Sequence, residues 1–152
     1  MLMPSLTHSE AIKLVTDSFR FLVDEFGFIG PIEWNVSYER MFTYFRGISF
    51  VTVSLEGGFL LSVGKTKMLV PGLASGQTTL SKVPHDQRRE LCVMDLVSPG
   101  EWKAILDMKD HSEVLRAYGG VLRKHSDLLK GDWSKRTLRY RLLQRFRSAL
   151  EG

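Results

Sequence analysis

The sequence predicts a single α+β domain over residues 1–152: an N-terminal helix, an antiparallel meander sheet of about five strands, and two to three C-terminal helices. Three observations carry this prediction. Apolar residues recur at three- and four-residue spacing in 12–26 and again in 114–129, which is typical of amphipathic helices. Between them, in 33–63, apolar and polar residues alternate, as they do in strands. The length of 152 residues fits one domain core.

The N-terminal segment carries the start and stop signals of one helix. Thr7 and Glu10 have the spacing of a capping box, in which each side chain binds the backbone amide of the other residue. Gly27 supplies a left-handed stop, and Gly30-Pro31 predicts the turn that leaves the helix. The apolar stripe consists of Ile12, Val15, Phe19, Leu22, Val23 and Phe26.

The alternating region predicts four sequential strands between Glu33 and Val63. The breaks at Glu39-Arg40, Arg46-Gly47 and Glu56-Gly57-Gly58 are short enough for hairpin turns, so the strands should form an antiparallel meander. Aromatic residues in these strands could stack on bases, but their apolar neighbours favour a place in the sheet core. These aromatic residues are Phe42, Tyr44, Phe45 and Phe50.

Beyond the meander, residues 65–89 predict a long loop with room for one further edge strand, because periodicity gives way to prolines and glycines. Leu91–Val97 predicts a fifth strand, in which Asp95 either faces solvent or is held by a partner such as an arginine. Ser98-Pro99-Gly100-Glu101 predicts the cap of a short helix.

The C-terminal third predicts two longer helices. Asp110 has the position of a cap for a helix over 110–130, where Gly119-Gly120 costs about 2 kcal/mol relative to alanine. A close approach by the sheet would explain that cost. Gly131-Asp132 predicts the end of this helix and the start of a third. Its apolar stripe consists of Leu138, Leu142, Phe146 and Ala149.

Composition favours a cytoplasmic protein with no membrane segment. No stretch approaches the roughly 20 apolar residues that span a bilayer, and residues 1–10 lack the pattern of an export signal. The one cysteine, Cys92, has no second cysteine in the chain, which excludes an internal disulfide and a multi-cysteine metal site. Its apolar neighbours predict a place in the core.

Catalytic, cofactor and metal motifs are weak throughout, so we expect a protein that is not an enzyme. Residues 58–66 resemble a phosphate-binding loop, but five residues lie between the glycines instead of four and no helix follows. The four histidines lie in different predicted elements, and no nucleophile elbow occurs. His85 and Asp86 could form an acid-base pair, although a solvated loop tip explains them as well.

Charge is the most informative feature. Residues 121–147 carry nine basic residues against two acidic ones, a net charge of +7 where the whole chain has +4. Such a stretch could attract phosphate or an acidic protein surface, or could be an ordinary solvated helix face. The candidate partner-binding residues are Arg136, Arg139, Arg145, His85, Arg88 and Arg89.

Two stretches, Phe21-Leu-Val-Asp-Glu-Phe-Gly-Phe28 and Leu122-Arg-Lys-His-Ser-Asp-Leu-Leu-Lys-Gly-Asp-Trp133, together resemble a loose group of small uncharacterised bacterial proteins. Some of these are similar to immunity proteins of toxin systems. The resemblance implies a non-enzymatic protein-binding domain, an inhibitor or adaptor, with no cofactor and no catalytic residue to transfer. Neutralisers of nucleases are commonly acidic, so this basic chain should meet an acidic or apolar target surface.

The alternative is a nucleic-acid-associated domain that uses the basic 121–147 region. A homodimer is the further expectation if helices leave the second face of the sheet uncovered.

Overall fold

The computed structural model describes residues 5–134, which form five α-helices around one five-stranded sheet. The helices are α1 (His8–Ser18), α2 (Arg20–Asp24), α3 (Pro99–Leu106), α4 (His111–Lys124) and α5 (Ser126–Leu129). The strands are β1 (Ile29–Val36), β2 (Glu39–Arg46), β3 (Ser49–Glu56), β4 (Gly58–Thr66) and β5 (Arg88–Cys92). The strand order β1-β2-β3-β4-β5, antiparallel throughout, confirms the predicted α+β meander.

The main core lies between the sheet and the helices, on what we term the helix side. Two buried tyrosines connect the layers through their hydroxyls. Tyr118 on α4 donates to the carbonyl of Phe59 on β4 at 2.7 Å, and Tyr44 on β2 donates to the carbonyl of Val15 on α1 at 3.3 Å. Burial raises the pKa of Tyr118 to about 12, so this hydroxyl stays protonated as a donor at neutral pH.

The other face, the cover side, is partly covered by residues 67–87, which we term the cover segment. Its Leu73, Leu80 and Val83 pack on Phe45 and Phe50 to form a second, smaller core. The cover segment contains two short 3₁₀ turns, Leu80–Lys82 and His85–Gln87, and no further strand among its residues. Part of this face is thus covered from within the chain.

Two predicted boundaries around β1 are wrong. Gly30-Pro31 lies inside β1, with a cis peptide bond, instead of in a turn. A Cβ on Gly30 would lie 2.8 Å from the carbonyl oxygen of Thr43, so glycine allows β2 to approach. The first hairpin turn lies at Ser37–Tyr38, two residues before the predicted turn at Glu39-Arg40.

The fifth strand exists but begins earlier than predicted. β5 spans Arg88–Cys92, and a 3₁₀ turn follows at Val93–Asp95, where a strand was expected to continue. Asp95 therefore does not lie in the strand, and its carboxylate accepts from the backbone amide of Cys92 at 3.0 Å. Cys92 is only partly buried, contrary to the core position expected for it.

Both long helices are interrupted where the sequence predicted continuity. Phe19 separates α1 from α2, and His125 separates α4 from α5, with its Nε2 2.9 Å from the carbonyl oxygen of Leu96. The predicted caps at Thr7, Ser98 and Asp110 are confirmed.

The prediction for the glycine pair in α4 is wrong, because a helix, and not the sheet, approaches it. A Cβ on Gly119 would lie 3.4 Å from the Phe21 ring of α2, whereas one on Gly120 would meet nothing within 4 Å. The predicted third C-terminal helix lies outside the described residues.

Candidate functional site

The structure describes three of the six candidate partner-binding residues, His85, Arg88 and Arg89. Arg136, Arg139 and Arg145 lie outside the described residues 5–134. His85 is exposed in the 3₁₀ turn of the cover segment, with Asp86 exposed beside it. Arg88 and Arg89 are consecutive in β5, where the sequence predicted a loop. Because side chains alternate along a strand, they lie on opposite faces of the sheet.

Arg88 belongs to a polar network on the cover side. Its guanidinium lies 3.5 Å from the carboxylate of Glu90, and this carboxylate also accepts from the Ser62 hydroxyl at 2.6 Å. The side chain of Arg88 is only 17% exposed, and its Nε is buried with no hydrogen-bond partner among the described residues. Arg88 thus packs on the cover side of the sheet, paired with Glu90.

Arg89 lies on the helix side, directly opposite Lys65 of β4. Lys67 follows two residues later, just beyond the end of β4. The three cationic side chains, together with Ile48 and Thr66, line a concavity of about 220 Å³. Among the described residues that line it, none is acidic. We term this concavity the basic pocket.

Backbone and hydroxyl contacts fix the walls of the basic pocket. The amide of Thr66 donates to the carbonyl of Ile48, and the amide of Lys67 donates to the carbonyl of Gln87, each at 2.8 Å. The Thr66 hydroxyl lies 2.7 Å from the carbonyl oxygen of Met68, to which it donates. These bonds hold the chain that leaves β4 against its neighbours on both sides.

A further cation, Arg46, and the aromatic ring of Trp133 lie near the residues of the pocket. Arg46 lies opposite Ser49, and Ser49 lies opposite Lys65, so a row from Arg46 to Arg89 crosses four strands at one end of the sheet. The Lys65 ammonium lies 5.8 Å from the ring centroid of Trp133, within the range of a cation–π contact.

Two consecutive apolar side chains, Met68 and Leu69, lie exposed next to the pocket. Their exposed fractions are 65% and 68%. A single exposed apolar residue is ordinary, but an adjacent pair beside a charged concavity is a candidate contact for a partner. We term the set Lys65, Lys67, Met68, Leu69 and Arg89 the recognition surface.

Arg123, one cation of the basic 121–147 stretch, contacts the first helical region. Arg123 of α4 donates to both carboxylate oxygens of Glu25, at 2.8 and 3.1 Å, and its guanidinium lies 4.4 Å from the Phe21 ring centroid. The hydrogen bond from Arg123 holds the pKa of Glu25 below its usual range. This arginine therefore connects α4 to the end of the first helical region.

Residues 58–66, which resemble a phosphate-binding loop in sequence, form β4. No group of three or more histidine, cysteine, aspartate or glutamate side chains within residues 5–134 could hold a metal ion. Over the same residues, the helices are too short or too polar to cross a bilayer.

Of the recognition surface, the sequence singled out Arg89 and did not single out Lys65, Lys67, Met68 or Leu69. The signal was present: two lysines stand two residues apart at the end of a strand, and an apolar pair follows them. The register that places Arg89 opposite Lys65 could not be read from the sequence, because β5 begins after a segment of 21 residues.

Searches of protein-family models, of curated proteins and of solved structures find no match to this chain.

Proposed function

We propose that the protein is a non-enzymatic protein-binding domain whose partner contacts the recognition surface. The observation that carries the proposal is the convergence of Lys65, Lys67 and Arg89 in one concavity, with Met68 and Leu69 exposed at its side. Cations with adjacent apolar side chains suit a protein surface that is itself acidic and partly apolar.

The two kinds of side chain have different roles in such an interface. The cations accelerate association with an acidic partner and select against basic ones. The apolar pair supplies contact area that water leaves on binding, at roughly 25 cal/mol per Å². The Thr66–Met68 hydrogen bond holds the start of this pair in place before binding, which lowers the entropy lost on association.

An immunity-type inhibitor or an adaptor is the form of this function that we favour. The resemblance of the Phe21–Phe28 and Leu122–Trp133 stretches to small bacterial proteins supports it, as does a basic surface that complements an acidic or apolar target.

The test is affinity capture from the native host with matched variants. The wild-type chain should recover a stoichiometric protein partner, and the double variant Lys65→Glu/Arg89→Glu should lose it. Lys13→Glu/Lys103→Glu is the control, because it makes the same charge change at two exposed lysines of α1 and α3. Equal recovery by both variants, or repeated recovery of no partner by the wild-type chain, would refute the proposal.

A nucleic-acid-associated role is the second candidate, and the position of Trp133 favours it. The contact of Lys65 with Trp133 brings the basic pocket close to the point where the chain enters the basic 135–147 part of the sequence. Binding to DNA or RNA should then fall steeply with added salt, and Arg139→Glu/Arg145→Glu should abolish it. No mobility shift at low salt would exclude this candidate.

A further inference from the structure

We infer that the protein forms a weak, symmetric homodimer in which Tyr38 of each copy inserts into an apolar pocket of the other copy. The inference goes beyond the proposed function and does not rest on it. Two features support it: an apolar pocket beside the first residues of β4, and an exposed tyrosine at the same end of the sheet.

The pocket exists because β5 is shorter than β4. β5 pairs only with residues 62–66 of β4, so no described strand lies along residues 58–61 on that side. A concavity of about 280 Å³ lies there, between the start of β4 and helices α3 and α4. We term it the apolar pocket, and it is lined chiefly by Phe59, Leu60, Trp102, Ile105, Leu106 and Tyr118. Among the described residues that line it, Glu56 is the only charged one.

The size and the lining of the apolar pocket suit an aromatic ring. An apolar cavity of about 150 Å³ holds benzene, so this pocket has room for the larger phenol ring of a tyrosine. Three of its lining residues are aromatic, and aromatic rings pack on one another in specific edge-to-face or offset geometries. Leu60 and Leu106 are 49% and 62% exposed, so the apolar surface continues from the pocket to its rim.

Tyr38 is the exposed aromatic residue that matches this pocket. It is 92% exposed, so its ring would bury a large apolar area on association. Ser37, with a left-handed φ of 52°, and Tyr38 form the two-residue turn between β1 and β2. So short a turn between paired strands holds Tyr38 in a narrow range of positions, which lowers the entropy lost on binding.

Tyr38 and the apolar pocket lie at one end of the sheet. Asn35, Arg40, Leu55 and Phe59 form one row across β1, β2, β3 and β4, and Tyr38 follows just beyond this row. Neighbouring strands are about 4.8 Å apart, so the hairpin of Tyr38 and the strand of Phe59 are roughly 12 Å apart. A two-fold axis at this end of the sheet pairs each copy's tyrosine with the other copy's pocket.

The area that these contacts bury suits a weak dimer. A tyrosine ring buries roughly 150–250 Å², and the walls of a pocket bury about as much, so two such contacts bury roughly 600–1,000 Å² in total. This lies in the range of transient interfaces, below the roughly 1,600 Å² of standard stable ones. We expect a dissociation constant on the order of 10⁻⁵ M.

Sedimentation equilibrium of the full chain over a range of concentrations tests the dimer. Tyr38→Ala should weaken dimerisation roughly hundredfold, because the dimer loses two contacts of roughly tenfold each. Tyr38→Phe keeps the ring and should dimerise almost as strongly as the wild-type chain. Leu106→Glu puts a charge at the rim of the apolar pocket and should weaken dimerisation as much as Tyr38→Ala. Leu69→Glu is the matched control, because it changes another exposed leucine, beyond the other end of β4, and should leave the dimer intact.

A mixture of Tyr38→Ala and Leu106→Glu tests whether the ring and the pocket meet. The first variant keeps its pocket and the second keeps its ring, so a mixed dimer retains one of the two contacts. It should be roughly tenfold weaker than the wild-type dimer and roughly tenfold stronger than the dimer of either variant alone. This gain also shows that both variants fold. A wild-type chain that stays monomeric up to about 1 mM, equal dimerisation of Tyr38→Ala, or no gain in the mixture would overturn the inference.

Discussion

Arg88 and Arg89 are adjacent in the chain but face different neighbours on opposite sides of the sheet. On the cover side, Arg88 faces the carboxylate of Glu90, which also accepts from Ser62, so positive and negative groups are matched within the fold. On the helix side, Arg89 faces Lys65, and the described lining of their concavity contains no acid. The number of charges alone therefore does not identify a binding residue, because the register of the strand decides which charges lie next to one another.

The largest expected effect comes from Gly64, which lies opposite Glu90 between the two regions. A Cβ on Gly64 would lie 2.4 Å from both the carbonyl oxygen of Arg89 and the Phe50 ring. Gly64→Val should therefore lower the free energy of unfolding by about 3 kcal/mol or more, measured by urea denaturation. Gly58→Ala is the control, since its Cβ would meet nothing within 4 Å. Similar stability of both variants would contradict the packing described for β4 and β5.

The next effect separates the two arginines. Arg88→Gln should lower the free energy of unfolding by about 1 kcal/mol, because it leaves the partly buried Glu90 without its cation. Arg89→Gln should change the free energy of unfolding by less than about 0.5 kcal/mol in either direction, since the substitution also relieves repulsion with Lys65. Urea denaturation of the two variants in parallel measures the difference, and the reverse order of stability would refute the assignment of the two faces.

An effect no larger than that of Arg88→Gln is expected at Thr66, whose hydroxyl donates to the carbonyl of Met68. Thr66→Val keeps the shape of the side chain and removes this bond, at a cost of about 1 kcal/mol in the free energy of unfolding. Hydrogen exchange at Leu69 and its neighbours should become faster, because the apolar part of the recognition surface loses its anchor. Thr16→Val on α1 provides a matched control substitution away from the pocket. Unchanged exchange in Thr66→Val would show that the bond does not hold this segment.

The smallest effect concerns pH and the exposed pair of Glu25 and Arg123. The hydrogen bond from Arg123 lowers the pKa of Glu25 in the folded state. A carboxyl group whose pKa is lower in the folded state stabilises the fold at pH values above its pKa in the unfolded chain. This stabilisation disappears as the pH falls through the pKa of the folded state. As the pH falls from 6 into the acid range, the wild-type chain should thus lose slightly more stability than Arg123→Gln. Thermal midpoints of the two proteins measure this loss. Equal losses would show that the pair does not contribute to stability.

The local signals of the sequence predict much of the fold. Capping at Thr7, Ser98 and Asp110 depends on residues within three positions, and the structure confirms all three. The alternation between Glu33 and Val63 likewise predicts the four-strand meander, because each hairpin connects neighbouring segments.

The parts that depend on distant contacts could not be predicted. Gly119 lies next to the Phe21 ring, nearly 100 residues earlier in the chain, and not next to the sheet. The basic pocket likewise depends on the register between β4 and β5, whose connection is irregular. Of the pocket's cations the sequence singled out only Arg89, and it did so together with Arg88, which lies on the other face.

The most direct test compares the affinity of the captured protein partner for two neighbouring variants, Arg88→Gln and Arg89→Gln, at a temperature where both are fully folded. The cations of the basic pocket should contact the partner and Arg88 should not. Calorimetric titration should therefore give a dissociation constant roughly tenfold or more weaker for Arg89→Gln, and close to the wild-type value for Arg88→Gln. An unchanged constant for Arg89→Gln, or equal weakening in both, would contradict the account.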